Sequence, residues 1–401
     1  MTSCRARHPS LRRSRARAAL AAAVVAVLPA PGARTPSAIP NTGVTGRHQG
    51  RAPITAEREP LPPPIHHVFV IVLENEDYDA TFGPASPAPY LADSMVAAGA
   101  LLRQYYGIGH FSLDNYIAMI SGMAPDLETQ RDCHLYVDFV ETGITADGQP
   151  IGRGCIYPAH VLTIANQLAG RGLTWKAYME DMGKDPAREP ATCGHAPIGA
   201  PDPTQHAAPN DQYAAKHDPF VYFHAIIDSA SCGRNVVSLA TLEADLASTS
   251  GAPNLTFIVP NLCHDGHDAP CQDGEPGGLV SADQFLAHWV PLIRKARAFR
   301  DGLLIVTFDE AKNTDASACC DEVPGPNAPL PGQTGPGGGR TGAVLLSPFI
   351  MARTVSDVPY NHYALLRSLE DVFGVPYLGF AGRAGLASFG ADVYSTPARK
   401  Q

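Results

Sequence analysis

Five stretches of nearly unbroken apolar and β-branched residues predict buried strands. They lie at His66–Leu73, Leu173–Met179, Asn254–Val259, Gly302–Phe308 and Thr341–Leu346. The first, HHVFVIVL, lacks the alternation of a half-exposed strand and is typical of a central parallel strand covered on both faces. Helical patterns lie between the strands, over Pro89–Ala98, Leu113–Ile120, Val161–Ala169, Leu239–Ala247, Ser281–Phe299 and His362–Phe373. This alternation predicts an α/β fold, doubly wound, with helices on both faces of a mostly parallel central sheet.

The first 33 residues have the pattern of a secretory signal peptide. Six arginines precede an apolar run from Ala18 to Leu28, and prolines and small residues follow it to Ala33. The apolar run is too short to span a bilayer. An uncleaved anchor is the alternative, and Arg12-Arg13 leaves both general and twin-arginine export open. Residues 34–64, rich in Pro, Thr, Ala and Gly, are predicted to be a disordered spacer. We therefore expect a secreted protein that has no stable membrane insertion after cleavage.

The charge balance excludes some classes of partner. Hydrophobic residues make up 45% of the chain and charged residues 17%, as in a globular enzyme. Removing the six arginines of the leader takes the formal charge from −9 to −15. This acidity argues against a nucleic-acid partner and against electrostatic docking to anionic lipid.

Eight cysteines remain outside the leader, and an even number in an exported chain predicts up to four disulfides. Pairing between cysteines that are neighbours in sequence closes short loops, which favours two of the bridges. The other four cysteines are then expected to pair between distant segments. The expected bridges are Cys133–Cys155 and Cys193–Cys232, with Cys263 and Cys271 paired to the adjacent Cys319 and Cys320. The irregular segments 126–157 and 180–234 are then disulfide-stapled excursions over the active edge of the sheet. A third irregular segment, the Pro/Gly-rich insert Glu322–Arg340, is predicted to be a loop between two core strands.

Polar clusters follow the predicted core strands, where parallel α/β sheets bind their ligands. Glu74-Asn75 follows the first strand, Asp309-Glu310 follows the Gly302 strand, and His362 opens the last helix. The remaining candidates are Asn261, His264, Asp265, His267 and Asp268 after the Asn254 strand, and His110, Ser112 and Asn115 at a helix start.

Each cluster alone has a structural explanation, since such residues often cap helices. Together, carboxylates and imidazoles at strand ends suit Zn²⁺, Mn²⁺ or another divalent ion. Ser112, at a helix start, lies where the helix dipole would also hold a phosphate. The chain has no nucleophile elbow, H-E-x-x-H motif, Walker loop or G-x-G-x-x-G motif.

Six motifs in order give the chain a resemblance to a known family. They are ENEDYDATFG, GHFSLDNYIAMISG, VPNLCHDGHD, VTFDEA, GGGRTGAVLLSPFI and VPYNHYALLRSLEDVFGVP. They resemble the phosphoesterase family of secreted acid phosphatases and bacterial phospholipases C, in the alkaline phosphatase-like superfamily. The resemblance covers roughly Ile65 to Phe380. It implies an alkaline phosphatase-like three-layer sandwich and a single phosphoesterase catalytic domain over residues 65–395.

The resemblance also implies roles for individual residues. Glu74, Asn75, Asp309 and Glu310 would hold one divalent metal, with Zn, Mn, Ca and Mg all open. Ser112 would be the nucleophile and Asn115 would contact the phosphoryl oxygens. His267 and His362 would face the phosphate or a second metal. The chain has Asp309-Glu310 where the phosphodiesterase branch has an Asp–His pair, and Asn261 where that branch has an aspartate, so one metal is the firmer expectation.

We expect a metal-dependent phosphomonoesterase that acts on small phosphate esters through a phosphoserine, with His110 protonating the leaving alcohol. A phosphodiesterase or phospholipase C using the same site is the first alternative, and a non-catalytic exported binding protein is the second. The excursions are rich in Pro, Asp and His, which favours small polar monoesters. The other histidines are expected to be structural or solvated: His66, His67, His134, His160, His195, His206, His217, His224 and His288.

Overall fold

The computed structural model describes residues 62–248 and 251–395. The predicted signal peptide and nearly all of the predicted spacer lie outside these residues. The strands are β1 His67–Leu73, β2 Ala100–Leu102, β3 Tyr105–Tyr106, β4 Leu135–Tyr136, β5 Val140–Ile144, β6 Pro150–Arg153, β7 Trp175–Met179, β8 Ala200–Pro201, β9 Val236–Ser238, β10 Leu255–Val259, β11 Gly302–Phe308, β12 Ala343–Leu346, β13 Thr354–Ser356 and β14 Tyr360–Asn361. All five strands predicted from the apolar runs are confirmed as β1, β7, β10, β11 and β12.

Eight of these strands form one central sheet in the order β13-β2-β12-β11-β1-β10-β7-β9. β1 is parallel to both of its neighbours, β10 and β11, and β7 continues the parallel half through β9. β12 runs antiparallel to β11 and to β2. The sheet is therefore mixed and mostly parallel, and the carboxyl ends of β11, β1 and β10 lie side by side at one edge.

Helices cover both faces of the sheet. The α-helices are α1 Tyr78–Phe82, α2 Val96–Ala98, α3 Ser112–Ser121, α4 Ile164–Gly170, α5 His224–Ile227, α6 Ser231–Asn235, α7 Leu242–Ala247, α8 Gly278–Lys295 and α9 His362–Phe373. The predicted helix over Pro89–Ala98 is a π-helix, Tyr90–Met95, that continues into α2. The predicted helix over Val161–Ala169 begins later, at Ile164, because Thr163 and Asn166 form a capping box there.

The two faces of β1 belong to different hydrophobic cores, which makes the fold a three-layer sandwich. Alternate strand residues point to opposite faces of a sheet. Val68, Val70 and Val72 pack with apolar residues of α3, α4 and α9. Phe69, Ile71 and Leu73 pack with the π-helix, α7 and α8. The expected fold class is confirmed: a three-layer α/β sandwich with a mostly parallel central sheet.

Four disulfides are present among the described residues, but two of the expected pairings are wrong. Cys133–Cys155 and Cys193–Cys232 are as predicted. Cys263 pairs with Cys271, and Cys319 pairs with its neighbour Cys320, so no bridge joins these two segments. The loop after β10 folds back on itself through hydrogen bonds from Asp268 N–H to the Leu262 carbonyl and from Gly278 N–H to the Asp268 carbonyl. This local turn brings Cys263 and Cys271 together at a Cα separation of 5.2 Å.

None of the helices within residues 62–248 and 251–395 combines the length and the apolar character needed to cross a bilayer.

Candidate active site

The site lies at the carboxyl ends of three neighbouring strands of the sheet. Glu74 follows β1 directly, Asp309 follows β11 directly, and Asp265 lies in the loop after β10. Backbone hydrogen bonds join these ends, from Glu74 N–H to the Asp265 carbonyl and from Asp309 N–H to the Leu73 carbonyl, both 2.8 Å. All three carboxylates are buried. The parallel register of β11, β1 and β10 thus brings together acidic residues that are far apart in sequence.

Ser112 lies against this carboxylate cluster as the first residue of α3. Its hydroxyl donates a 2.8 Å hydrogen bond to Glu74 Oε2, and the side chain is buried. Phe111, just before it, has φ 79° and ψ 141°, a conformation that costs a non-glycine residue about 1–3 kcal/mol. The turn into α3 is therefore strained at the residue that aims Ser112.

Asn115 holds this strained turn in place. Its Oδ1 accepts hydrogen bonds from the N–H groups of Ile108 at 2.7 Å and Gly109 at 3.1 Å. Its Nδ2 donates to the carbonyls of Gly109 and Phe111. The side chain is fully buried. The predicted contact of Asn115 with phosphoryl oxygens stays a prediction, whereas its positioning of the Ser112 turn is visible.

Asn75 connects two of the acidic residues. Its Nδ2 donates a 2.8 Å hydrogen bond to Glu74 Oε2, and its backbone N–H donates to Asp309 Oδ1 at 3.1 Å. Asn75 has φ 60°, in the left-handed region that asparagine tolerates better than most residues. The structure thus brings Glu74, Asn75 and Asp309 together, as predicted for a shared site.

His217 joins the same cluster, although its sequence context gave no sign of it. Its Nε2 is 3.3 Å from Glu74 Oε1, and its Nδ1 is 3.1 Å from Asp265 Oδ2. The ring stacks on Tyr116 of α3, with 5.3 Å between ring centroids. His217 lies in a short 3₁₀ helix, Ala215–His217, within the irregular segment 180–234. The residues around His217 have no periodic pattern and do not directly follow a core strand, so the sequence does not indicate that His217 belongs to the site. The packing of the segment against α3 brings His217 there.

The buried carboxylates repel one another. Burial, followed by the charges of Asp309 and Asp265, raises the pKa of Glu74 well above its ordinary value. Burial raises the pKa of Asp309 to about 6. Hydrogen bonds from Asn75 N–H and from other groups, including Ser112, lower this pKa and so oppose part of the effect of burial. Burial also raises the pKa of Asp265 and of Glu310. Such a concentration of buried negative charge calls for a compensating cation.

Lys216 is the buried lysine beside this cluster. Its Nζ lies 3.2 Å from Asp132 Oδ2. Burial lowers the Lys216 pKa, but the nearby charges of Asp132 and Glu74 outweigh that effect and raise it. One protonated lysine cannot neutralise Glu74, Asp265 and Asp309 together, so the cluster retains an excess of negative charge when all three are ionised.

The donor set fits a divalent metal ion. One ligand atom each from Glu74, His217 and Asp265 lies within 4.8 Å of the other two. Glu74 Oε1, His217 Nε2 and Asp309 Oδ2 are buried and form no hydrogen bond among the described residues. Burial, and then the charge of Lys216, lowers the pKa of His217 well below its ordinary value, which favours the neutral imidazole that metals bind. Asp309 lies beside these three as a fourth donor, its free Oδ2 being the third oxygen of the set.

Glu310, a predicted metal ligand, pairs with His110 instead. Glu310 Oε2 forms a short hydrogen bond with His110 Nδ1, and His110 Nε2 lies 2.9 Å from the Asp315 carbonyl. Both ring nitrogens of His110 therefore have partners inside the protein. Burial lowers the pKa of His110. The His110–Glu310 pair lies at the border of the site next to Phe111 and stabilises that side of it.

His267 and His362 occupy different positions. His267 is partly exposed, and its Nδ1 contacts Asp268 Oδ1 at 2.8 Å. His362 is fully buried, with Nδ1 3.0 Å from the Tyr105 hydroxyl and Nε2 on the Asp309 carbonyl. Burial lowers the His362 pKa to about 4. Neither histidine belongs to a group of metal-binding geometry in the described chain.

His264, a candidate in the loop after β10, lies in an ion-pair network rather than in the carboxylate cluster. Its Nδ1 contacts Glu180 and its Nε2 contacts Glu275. Although burial opposes it, hydrogen bonding and charge from Glu180 and Glu275 raise the His264 pKa to about 9. Asn261 contacts Asp181 Oδ2 through its amide at 2.9 Å. Both residues shape the loop after β10.

A cavity of about 240 Å³ opens over Ser112. It is lined by Asn75, Phe111, Ser112, Asp132, His134, Gln205, His206, Lys216, His267, Glu310 and Asn313. A larger cavity of about 540 Å³, lined by residues such as Met123 and Tyr377, contains none of the clustered site residues. The chemistry therefore assigns the smaller cavity to the candidate active site.

A family comparison assigns the chain to a known class of protein. The chain belongs to the Phosphoesterase family, whose match extends over residues 86–376 and includes Ser112, His217, Asp265 and Asp309. It is 28% identical over 312 residues to a phosphate-repressible acid phosphatase of Penicillium chrysogenum, covering 77% of this chain and 59% of that protein. It is 23% identical over 322 residues to a phosphatidylinositol-3-phosphatase of Mycobacterium tuberculosis, covering 80% and 81%.

The chain spans less than three fifths of the length of the fungal acid phosphatases from Penicillium chrysogenum and Aspergillus fumigatus, 59% and 55% respectively. Among solved structures, it is similar to a protein in the alkaline phosphatase superfamily from Vibrio parahaemolyticus. The TM-score is 0.47 at 13% identity, covering 81% of this chain and 71% of that one.

Proposed function

We propose that this chain is a metal-dependent phosphoric ester hydrolase, an acid phosphatase-type phosphomonoesterase that acts through a phosphoserine. One observation carries the proposal: the buried Ser112 hydroxyl donates a 2.8 Å hydrogen bond to Glu74, inside a cluster of buried carboxylates. A serine needs an adjacent base to act as a nucleophile, and Glu74 is such a group. The acid phosphatases among the relatives support the same reaction class.

In the proposed attack, Ser112 Oγ bonds to phosphorus and its proton passes to Glu74 Oε2. Asn75 donates to the same Glu74 oxygen and so holds the acceptor in position. Asn115 holds the turn that aims Ser112 into the cavity. The bond from phosphorus to the leaving oxygen breaks as the serine bond forms. A water molecule then hydrolyses the phosphoserine and regenerates the hydroxyl.

Lys216 and His267 line the cavity. We assign Lys216 to the stabilisation of negative charge and His267 to proton donation. Lys216 is protonated and lies near the Glu74 charge, so it stabilises negative charge that develops on the phosphoryl oxygens. His267, oriented by Asp268, is assigned to protonate the leaving oxygen. His110 is less suited to that role because both of its ring nitrogens are engaged with Glu310 and Asp315.

The metal in this proposal is held by Glu74, Asp265 and His217, with Asp309 beside them. A divalent cation bound there would supply Lewis-acid neutralisation of the phosphoryl charge. This ligand set keeps Glu74 and Asp309 from the sequence prediction and replaces Asn75 and Glu310 by Asp265 and His217. Asn75 instead donates a hydrogen bond to Glu74 Oε2. A second metal near His267 and His362 is not part of the proposal, because His362 is buried against the Asp309 carbonyl.

Export is also part of the proposal. Four disulfides suit an oxidising compartment outside the cytoplasm, in the extracellular or periplasmic space. The partner is then a small phosphate ester met outside the cell, and the net negative charge of the chain argues against a nucleic-acid partner.

A hydrolysis panel tests the proposal. Nitrophenyl phosphate, bis(nitrophenyl) phosphate and phosphatidylcholine are each incubated with the protein, with and without a chelator. Hydrolysis of the monoester that the chelator abolishes supports the proposal. Preferential hydrolysis of the diester or the lipid would favour the phosphodiesterase or phospholipase C alternative. No hydrolysis of any ester by the metal-loaded protein would favour the binding-protein alternative.

A further inference from the structure

A second cavity adjoins the catalytic one. It measures about 330 Å³ and shares Phe111 with the cavity over Ser112. Leu127, Pro329 and Leu330 form its other apolar walls. Phe111, Leu127 and Leu330 are 38%, 45% and 52% exposed, so apolar surface faces solvent directly beside the nucleophile. Its volume falls in the range of about 300–1,000 Å³ that small-molecule sites occupy.

The Pro/Gly-rich insert Glu322–Arg340 is tied to the active-site turn at this place. Gln130 Nε2 donates to the carbonyls of Leu330 and Pro331, both at 2.7 Å. The His110 N–H donates to the Pro331 carbonyl at 3.2 Å, and Gln333 Nε2 donates to the carbonyls of His110 and Gln130. These bonds span about 200 positions of sequence and hold Leu330 beside Phe111.

The hydrogen bonds also determine what the second cavity offers to a ligand. The side-chain amide nitrogens of both glutamines are used to hold the insert, so they are not free to bind a polar group. The lining includes no carboxylate, and Arg131 is its single charged side chain. A cationic group therefore meets no opposite charge in this lining, whereas an apolar group meets three exposed hydrophobic side chains.

We propose that the second cavity is a leaving-group subsite that selects monoesters of aryl or alkyl alcohols over those of small polyols. This inference rests on the proposed phosphomonoesterase function. A phosphoryl group at Ser112 lies next to Phe111, and the alcohol portion of the ester extends past Phe111 onto Leu127 and Leu330. The substrate class thus differs from the small polar monoesters expected from the composition of the excursions. The insert acts as the wall that sets this preference.

The test compares kcat/KM for 1-naphthyl phosphate and glycerol 3-phosphate in the wild-type protein and in Leu330→Ser and Leu127→Ser. We expect the wild type to prefer the naphthyl ester. Each substitution should lower kcat/KM for that ester at least about tenfold, the scale on which hydrophobic pockets discriminate a methylene group. Hydrolysis of glycerol 3-phosphate should be unchanged, since its alcohol buries little apolar surface in the subsite.

Val323→Ser is the matched control. Val323 lies in the same insert and is 46% exposed, against 52% for Leu330, but it lines neither cavity. It should leave both activities unchanged. A wild type that hydrolyses both esters with equal kcat/KM, or variants that lower both activities equally, would overturn the subsite and leave the phosphatase proposal standing. A wild type that hydrolyses no monoester would overturn both.

Discussion

Replacing Ser112 by alanine should separate catalysis from folding in this protein. The hydroxyl is the proposed nucleophile and donates to Glu74 at 2.8 Å. Its removal should lower turnover at least about a hundredfold, the scale expected for loss of a principal catalytic group. The metal content should persist, because Glu74, His217 and Asp265 are retained. The measurement is kcat for nitrophenyl phosphate, together with metal analysis of both proteins.

The expected cost in stability is small. A hydrogen bond to a charged group contributes about 1.5–3 kcal/mol, and the loss is reduced where no buried group is left unsatisfied. Glu74 Oε2 keeps its 2.8 Å hydrogen bond from Asn75 Nδ2 in the variant. Phe111, rather than Ser112, is the residue that precedes the helix, so no helix cap is lost. The free energy of unfolding should therefore fall by about 1–2 kcal/mol.

Ser121→Ala is the matched control, since Ser121 is the last residue of the same helix and is fully buried. Its hydroxyl donates to the Ile117 carbonyl at 2.7 Å and accepts from Met123 N–H at 3.2 Å. Removing it should reduce stability by a similar amount of about 1–2 kcal/mol, because the Met123 N–H loses its acceptor. Activity should be unchanged, because Ser121 touches none of the site residues.

The phosphoenzyme itself can be trapped. Acid quenching during turnover of a slow radiolabelled monoester should leave phosphate on the peptide that contains Ser112, and none on the alanine variant. Near-native turnover of Ser112→Ala would refute the phosphoserine route. Direct attack by a water molecule activated at the metal site would then be the better mechanism.

Three further predictions concern metal, pH and redox state. His217→Gln should weaken metal binding at least roughly 10–100-fold, because even the loss of an outer-sphere partner costs that much affinity. His224→Gln, at an exposed ion pair, should leave metal binding unchanged. Equilibrium dialysis with metal analysis measures both variants. Burial raises the pKa of Glu370 from its ordinary value of 4.5 to about 8. Between pH 4.5 and about 8, Glu370 therefore stays protonated in the folded state but loses its proton in the unfolded state. Stability should fall as pH rises between those values, and Glu370→Gln should flatten that slope in denaturant titrations; an unchanged slope would contradict this account. Thiol titration of the unreduced, denatured mature protein should find no free thiol, and two or more would show incomplete oxidation.

Local pattern was sufficient to predict five of the eight strands of the central sheet and part of the site, whereas the short strands β2, β9 and β13 were not predicted. The apolar runs of β1, β10 and β11 can be recognised in the sequence because a strand buried on both faces has apolar side chains in both directions. Parallel neighbours end at the same edge, so the positions of Glu74 and Asp309 directly after two such runs are enough to predict that they meet. The placement of Ser112 beside them followed from the helix start and the family resemblance.

The partners of several site residues could not be predicted this way. Glu310 follows Asp309 directly, but neighbouring side chains after a strand point in different directions, and Glu310 contacts His110 instead of the cluster. His362 opens α9 as predicted but lies beneath the Asp309 carbonyl. Cys263–Cys271 and Cys319–Cys320 form because their loops turn locally. Their sequence separations of 8 and 1 are shorter than the 22 and 39 of the two correctly predicted pairs, so the short-loop criterion applied to all eight cysteines favours them.

The sequence by itself determined the α/β class, the strand ends that carry acidic residues, and the helix start at Ser112, because periodicity and strand length are properties of local segments. Only the tertiary structure decided that His217 joins Glu74 and Asp265, and that Leu330 stands beside Phe111. His217 reaches Glu74 across more than 140 positions from an irregular segment, held by stacking on Tyr116. Contacts of this kind depend on how distant segments pack, and no local pattern encodes them.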